Sequence, residues 1–256
     1  MVQMLSRRDR VRAETTAEIK QTARKILVEQ GPEAVTLRAI AREMGMTAPA
    51  LYRYFGSHED LIQHVVGDIF NEIGAGVEAA IDGAGGGITE KMIAACREFR
   101  RWGLGHKAEF GMLFGTPLPT LEAAHDDLVA ECAGKFSGVF FALFYDLWTK
   151  QPFPIPRDDE IDPRLRTQLA RYQEGLGVDL PLGAGLTFLR CWVRLYGMVS
   201  LEVFGHLHFA LDDASALFEY TLAELAGLVG LEYPATRAPV PGAGHSSPPA
   251  GGSRPR

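Results

Sequence analysis

The residues with the clearest chemistry lie in one stretch, residues 36–55, TLRAIAREMGMTAPALYRYF. Arg38, Arg42, Thr47, Tyr52 and Arg53 stand there beside the small residues Ala48 and Pro49. Guanidinium forks match phosphate and guanine edges, and hydroxyls donate to phosphate oxygens, so this set suits the grooves and backbone of duplex DNA. Catalysis has no comparable support, because the chain holds no HExxH, GxSxG or P-loop sequence. His206 and His208 stand two apart, which on a helix sends them to different sides instead of to one metal. His125 with Asp126 and Asp127 reads as a solvated surface. Cys96, Cys132 and Cys191 form no CxxC pair and no even framework, which fits a reducing compartment and buried structural thiols. The expectation is therefore a chain that is not an enzyme, with no cofactor and no metal.

Two short helices and a turn must position those side chains. Thr36 caps a helix whose apolar side is Leu37, Ile40, Ala41 and Met44, and Gly45 ends it. Thr47 opens a second helix that runs to Phe55, with Pro49 tolerated in its first turn. Leu37, Ile40, Ala41, Met44, Leu51 and Phe55 pack these helices on each other and on a preceding helix carrying Ile19, Ala23, Ile26 and Leu27, which Gly31-Pro32 stops. Ser57 and Asp60 begin a longer helix through Leu61, Val65, Ile69 and Ile73. That is the layout of a helix-turn-helix, in which one helix props the start of the next into the major groove.

The remaining residues read as an all-helical body. The chain has 256 residues, 46% of them hydrophobic and 23% charged, with net charge −6. The charge is uneven: residues 1–60 hold ten Lys or Arg against eight Asp or Glu, and the excess acid lies beyond them. A basic head on an acidic body suits a DNA-reading module carried by a part that avoids DNA. Helices are expected over about 89–107, about 121–150 with Phe136, Phe140, Phe141, Phe144 and Trp148, and about 182–209. A last helix carries the stripe Ala214, Leu217, Phe218, Thr221, Leu222, Leu225, Ala226 and Val229. The richest apolar run, Val139 to Trp148, is too short to span a bilayer, so no membrane association is expected, and a cytoplasmic location follows. The domain reading is a basic N-terminal arm over 1–13, a helix-turn-helix domain over 14–60, a regulatory and dimerisation body over 61–232, and a Pro/Gly/Ser-rich disordered tail over 233–256.

From Ile19 to Leu61 the chain resembles the DNA-binding head of the TetR family of transcriptional regulators. The resemblance rests on Gly31 after the first helix, Thr36 with Ile40-Ala41, Gly45 in the turn, and Leu51-Tyr52-x-Tyr54-Phe55 before an acidic residue and Leu61. Downstream, WVRLYGMVSLEVFG from Trp192 is similar to the penultimate helix of one subgroup, which commonly has Trp and His-Gly where this chain has Trp192 and Tyr196-Gly197. The resemblance implies a homodimer built on the last two helices, a double-stranded DNA operator, and a small hydrophobic effector that relieves repression from within the body. It also implies DNA contacts by Arg38, Thr47, Ala48, Pro49, Tyr52, Arg53, Tyr54 and His58. His58 stands where the family usually has Lys at a phosphate, and Ala48, Pro49 and Ala50 can touch thymine methyls but make no bidentate bond to a base. Guanine readout then falls to Arg38 or Arg53. Phe99, Trp102, Phe110, Phe140, Phe144, Trp148, Trp192 and Tyr196 are the ligand-binding candidates, against the alternative that each is plain core. An activator, a constitutive regulator whose body only dimerises, and a helical enzyme or carrier are the competing functions.

Overall fold

In a computed structural model, residues 6–115 and 128–234 are described, and every regular element among them is helical. In chain order these are α1 (Arg7–Gln30), α2 (Leu37–Glu43), α3 (Ala48–Leu51), α4 (His58–Gly83), α5 (Ile88–Gly105), α6 (Lys107–Phe114), α7 (Leu128–Lys150), α8 (Pro163–Leu176), α9 (Leu182–Val203) and α10 (Ser215–Leu228). Short 3-10 turns at Pro32–Ala34 and Asp158–Glu160 join them. The fold is the expected one, a three-helix head followed by a helical body.

The head forms as its caps dictate. Thr36 Oγ1 accepts from the Ala39 amide at 3.1 Å, and Ser57 Oγ accepts from the Asp60 amide at 3.1 Å. The Asp60 carboxylate in turn accepts from the Gly56 amide at 2.8 Å, so the entry to α4 is tied from both sides. Gly45 turns the chain between α2 and α3 at φ +65, a left-handed conformation that a side chain resists. Ile19, Ala23, Ile26, Leu37, Ile40, Leu51 and Phe55 close over one another as a small core. That core continues without a break along α4 into the body.

Several boundaries differ from the sequence reading, each for a local reason. The expected arm over 1–13 is helical from Arg7 onward, so the proposed boundary at residue 13 falls inside α1, capped by Ser6 through Asp9. The third helix closes at Leu51, and the chain tightens into a turn through Tyr54 before Phe55. The segment 89–107 breaks at His106, whose backbone leaves the helical region between α5 and α6. Helix α9 ends at Val203, not near Phe209, because Gly205 takes φ +73. Helix α8, which the apolar pattern alone did not reveal, starts with Asp162 accepting from the Arg164 amide at 2.8 Å, with Pro163 at its first position, and ends on left-handed Gly177. The expected start of the long aromatic helix near 121, the cluster at His125, and the tail from residue 235 lie outside the described residues.

Helix α4 is the spine. It leaves the head and packs along most of its length against α5 and α7. At Gly67 an added Cβ would meet Leu128 and Cys132 at 3.4–3.5 Å, so α4 and α7 lie close together there. By length and composition α7 is apolar enough to cross a membrane, which the shorter run noted in the sequence did not suggest. Here its stripe of Val129, Cys132, Phe136, Phe140, Phe144 and Leu147 is buried in the body. Its other side carries the ion pairs Lys135–Glu131 and Lys150–Asp146.

Candidate nucleic-acid interface and ligand pocket

The outward face of α2 and α3 presents Arg38, Arg42, Thr47, Pro49, Tyr52 and Arg53, all exposed, with Ala48 half-buried among them. Tyr52 keeps 57% of its surface in solvent, although a phenol would normally fold back on apolar neighbours. Among the described residues no carboxylate pairs with the guanidinium of Arg38, Arg42 or Arg53, while Glu43 beside Arg42 is taken by Lys25 at 2.7 Å. Behind the face, Arg12 of α1 lies over the Tyr54 ring at 5.8 Å and donates to the Arg53 carbonyl at 3.2 Å. Tyr54 is therefore half-buried, with one ring face taken by a cation. His58 is committed as well: its Nε2–H donates to the Val35 carbonyl at 2.6 Å. That bond ties the start of α4 to the turn before α2. In the neutral ring it leaves only an acceptor nitrogen, which cannot donate to a phosphate.

A charged joint fastens this head to the body. Arg24 of α1 pairs with Glu72 of α4 through both guanidinium arms, one at 3.0 Å, and donates from Nε to Glu109 of α6 at 3.1 Å. Glu109 is only 5% exposed. Trp102 of α5 donates its indole N–H to Glu72 at 3.3 Å and stacks on His106 with ring centres 4.8 Å apart. Hydrogen bonding from Arg24 holds the Glu72 carboxyl below the usual carboxylate range, against a smaller opposing effect of burial. One turn earlier on both helices, Lys20 pairs with Asp68 at 2.5 Å.

The body contains an apolar pocket that, together with the open solvent at its mouth, takes up about 650 Å³. Helix α5 contributes Met92, Ile93 and Cys96, α7 contributes Phe140 and Phe144, and α9 contributes Phe188, Cys191, Trp192 and Leu195. Helix α10 and the residues after it close the far wall with Leu222, Leu225, Ala226, Val229 and Leu231. Among the described residues no charged side chain lines it, and Thr89 supplies the one hydroxyl. Such a lining accepts hydrocarbon and rejects an ionised group, whose desolvation nothing inside would offset.

Two family models match this chain. The model described as bacterial regulatory proteins of the tetR family covers residues 19–65, and that of the tetracyclin repressor-like C-terminal domain covers residues 92–225, more than half of the chain. The chain belongs to the TetR family. HTH-type transcriptional regulators of Mycobacterium bovis and Mycobacterium tuberculosis are each 29% identical over 205 residues, covering 78% of this chain and 84% of theirs. The crystal structure of the regulatory protein SCO4313 superposes with a TM-score of 0.66 at 28% identity, over 87% of this chain and all of that one. The fold is also shared with FadR from Bacillus subtilis, solved in complex with stearoyl-CoA, at a TM-score of 0.55 and 14% identity over 82% and 96% of the two chains. This TetR-family protein is thus a transcriptional regulator with a helix-turn-helix DNA-binding domain, and its family and relatives are regulators, not enzymes.

In this regulator the aromatic residues singled out from the sequence separate into distinct places. Phe140, Phe144 and Trp192 line the pocket. Phe99 is wholly buried behind it, stacked on Trp192 with ring centres 6.2 Å apart. Phe110 packs against Phe99, Phe114 and Phe204 in the core. Trp102 is drawn to the joint by Glu72, and Tyr196 turns away to donate to the Phe114 carbonyl at 3.0 Å. Trp148 sits against Phe153, beyond the end of α7. The far wall was not foreseen, because the leucines of α10 carry the same periodicity whether they face a core, a pocket or a partner.

The surroundings of both pocket thiols favour the protonated form. Burial pushes Cys96 up to about 12 and Cys191 to about 11. A free thiol titrates near 8.5, so at neutral pH Cys191 holds roughly 300-fold and Cys96 roughly 3,000-fold less thiolate. Mass spectrometry after iodoacetamide treatment at pH 7.5 is expected to find these two cysteines unlabelled long after a free cysteine has reacted. Fast labelling of Cys191 would instead mark it as a reactive site.

Proposed function

We propose that this regulator is a dimeric repressor, released from a palindromic operator when an elongated apolar ligand enters the pocket of the body. The observation that carries the reading is an exposed basic face joined to an uncharged cavity through one continuous set of helices. Helix α5 supplies pocket residues at Met92, Ile93 and Cys96 and then, within two turns, Trp102 at the joint. A ligand that displaces α5 therefore acts on the groups that hold Arg24 and α1. It shifts the balance between head arrangements only by its difference in affinity for them, about 1.4 kcal/mol for each tenfold loss of DNA affinity.

The lining selects the ligand class. An acyl-type chain matches this apolar lining, with any polar or charged end left at the mouth, and the stearoyl-CoA bound by the Bacillus subtilis protein of the same fold carries such a chain.

Dimerisation is supported by α9 and α10. Val193 (66% exposed), Leu201, Leu217 and Tyr220 (67% exposed) lie bare on their outer sides. At Gly197 and Gly227 an added Cβ would meet nothing within 4 Å, so backbones can approach there. Arg190 and Arg194 on α9 and Glu224 on α10 offer opposite charges that a two-fold axis would bring together. Two heads so related must enter successive major grooves, roughly 34–36 Å apart. Acting on DNA, the protein works in the cytoplasm.

Arg38 and Arg53 are assigned base readout, with Thr47 and Tyr52 on phosphates and Ala48 and Pro49 against thymine methyls. Tyr54 and His58 support the face from behind. Selection from random duplexes is expected to enrich a palindrome, and Arg38→Ala or Arg53→Ala to relax the preference at one position per half-site, at about 1–3 kcal/mol each. Uniform weakening on every sequence would make both residues phosphate contacts, and the absence of any enriched sequence would sink the reading.

A further inference from the structure

Helix α1 begins twelve residues before the part of the chain that matches the DNA-binding family model, which starts at Ile19. These extra turns have no apolar stripe. They stand because Ser6 accepts from the Asp9 amide at 3.2 Å and returns a bond to its carboxylate at 2.6 Å, and because Arg, Ala and Glu favour helix. Arg7, Arg8, Arg10 and Arg12 are all exposed. Among the described residues none of the four has a carboxylate partner.

Helical register separates them. The face of α1 that packs on the head passes through Ile19 and continues toward the N-terminus at Thr16, Arg12 and Arg8, in steps of three and four residues. Thr15 and Thr16 are already half-buried, which shows that this side stays against the head. Arg12 is fixed there by the Arg53 carbonyl and the Tyr54 ring, at the end of the segment whose exposed side carries Tyr52 and Arg53. Arg8 stands one turn beyond on the same face, about 6 Å further along the axis. Arg7 and Arg10 point to the opposite side, which they share with Glu14 and Glu18.

We propose that the first two turns of α1 form a second DNA-contacting element, in which Arg8 binds a backbone phosphate flanking the half-site and Arg12 positions it. The inference rests on the DNA-binding reading above and adds to it an element outside the helix-turn-helix. A phosphate contact carries no base preference but releases a counterion, so it is read in the salt dependence of binding.

The test is a salt titration of affinity for the selected operator with the full chain. Arg8→Ala is expected to lower the slope of log affinity against log salt by about 2 for a dimer, one contact per head, with the preferred sequence unchanged. The double variant Arg7→Ala/Arg10→Ala removes more charge from the other face and is expected to keep the wild-type slope. Trimming the base pairs outside the palindrome is expected to weaken the wild type and spare Arg8→Ala. Alanine is the strongest helix former, so none of these variants unfolds α1. An unchanged slope in Arg8→Ala, or an equal fall in the control, overturns the contact while the DNA-binding reading stands. A wild-type protein that binds no duplex selectively overturns both.

Discussion

Ala226→Trp is expected to leave operator binding within about threefold of wild type while weakening acyl ligands by a hundredfold or more. Ala226 is buried on α10, a helix of the body, and lines the pocket together with Trp192 and Phe140. An indole there fills the space of roughly four methylenes of a bound chain. At about 0.8 kcal/mol per buried methylene the ligand loses about 3 kcal/mol, which is more than a hundredfold in affinity. The operator then stays occupied at ligand concentrations that empty it in the wild type. A series of fatty acids and acyl-CoAs of increasing chain length, followed by calorimetry and by release of labelled operator, measures both quantities. Because a large side chain can strain a packed wall, Leu222→Trp supplies a second blockade from the same helix, one turn earlier. If both variants fold and respond to ligand as the wild type does, the effector site lies elsewhere and the assignment of this pocket is wrong.

The head was legible in the sequence because its determinants are local. Thr36, Gly45, Ser57 and Asp60 each act on a backbone group within four residues, and the structure keeps those contacts. The surroundings of Tyr54 and His58 were less legible, since both side chains meet partners distant in sequence, Arg12 and Val35. The same limit applies in the body. Trp102 and Trp192 look alike on their helices, yet one is claimed by a carboxylate on α4 and the other faces a cavity. Periodicity says which side of a helix is apolar, while helix packing decides whether that side meets core, pocket or partner. The extension of α1 and the whole of α8 escaped notice for the converse reason. Caps and propensity stabilise them more than an apolar stripe, and at α8 the signals Asp162-Pro163 and Gly177 were present but sat beside a proline-rich loop.

If the proposed function holds, replacing Arg24 by Met is expected to keep ligand affinity and DNA recognition but lose the coupling between them. Arg24 is the only cation that Glu109 meets among the described ion pairs, and it holds Glu72 through two bonds. Removing it leaves a carboxyl group in a site that is 5% exposed. Breaking a fully buried pair costs about 3–5 kcal/mol, and the partial exposure of Arg24 and Glu72 reduces this to about 2 kcal/mol. Urea unfolding measures that loss. The pH dependence gives an independent sign. Because Arg24 depresses the Glu72 carboxyl, the folded protein holds that proton less tightly than the unfolded chain. Its contribution is therefore complete above the unfolded value near 4.3 and disappears as pH falls through the lower folded value. Wild-type stability should drop steeply below about pH 4, and Arg24→Met should flatten part of that drop. Glu72→Gln, which keeps the shape and removes the charge, should do the same with a smaller loss at neutral pH. In both variants the ratio of operator affinities without and with ligand should fall toward one, since α5 can then move without taking α1 with it. A variant that is destabilised yet still releases its operator on ligand binding would show the joint to be a fastening only, with the signal carried through the apolar core of α4.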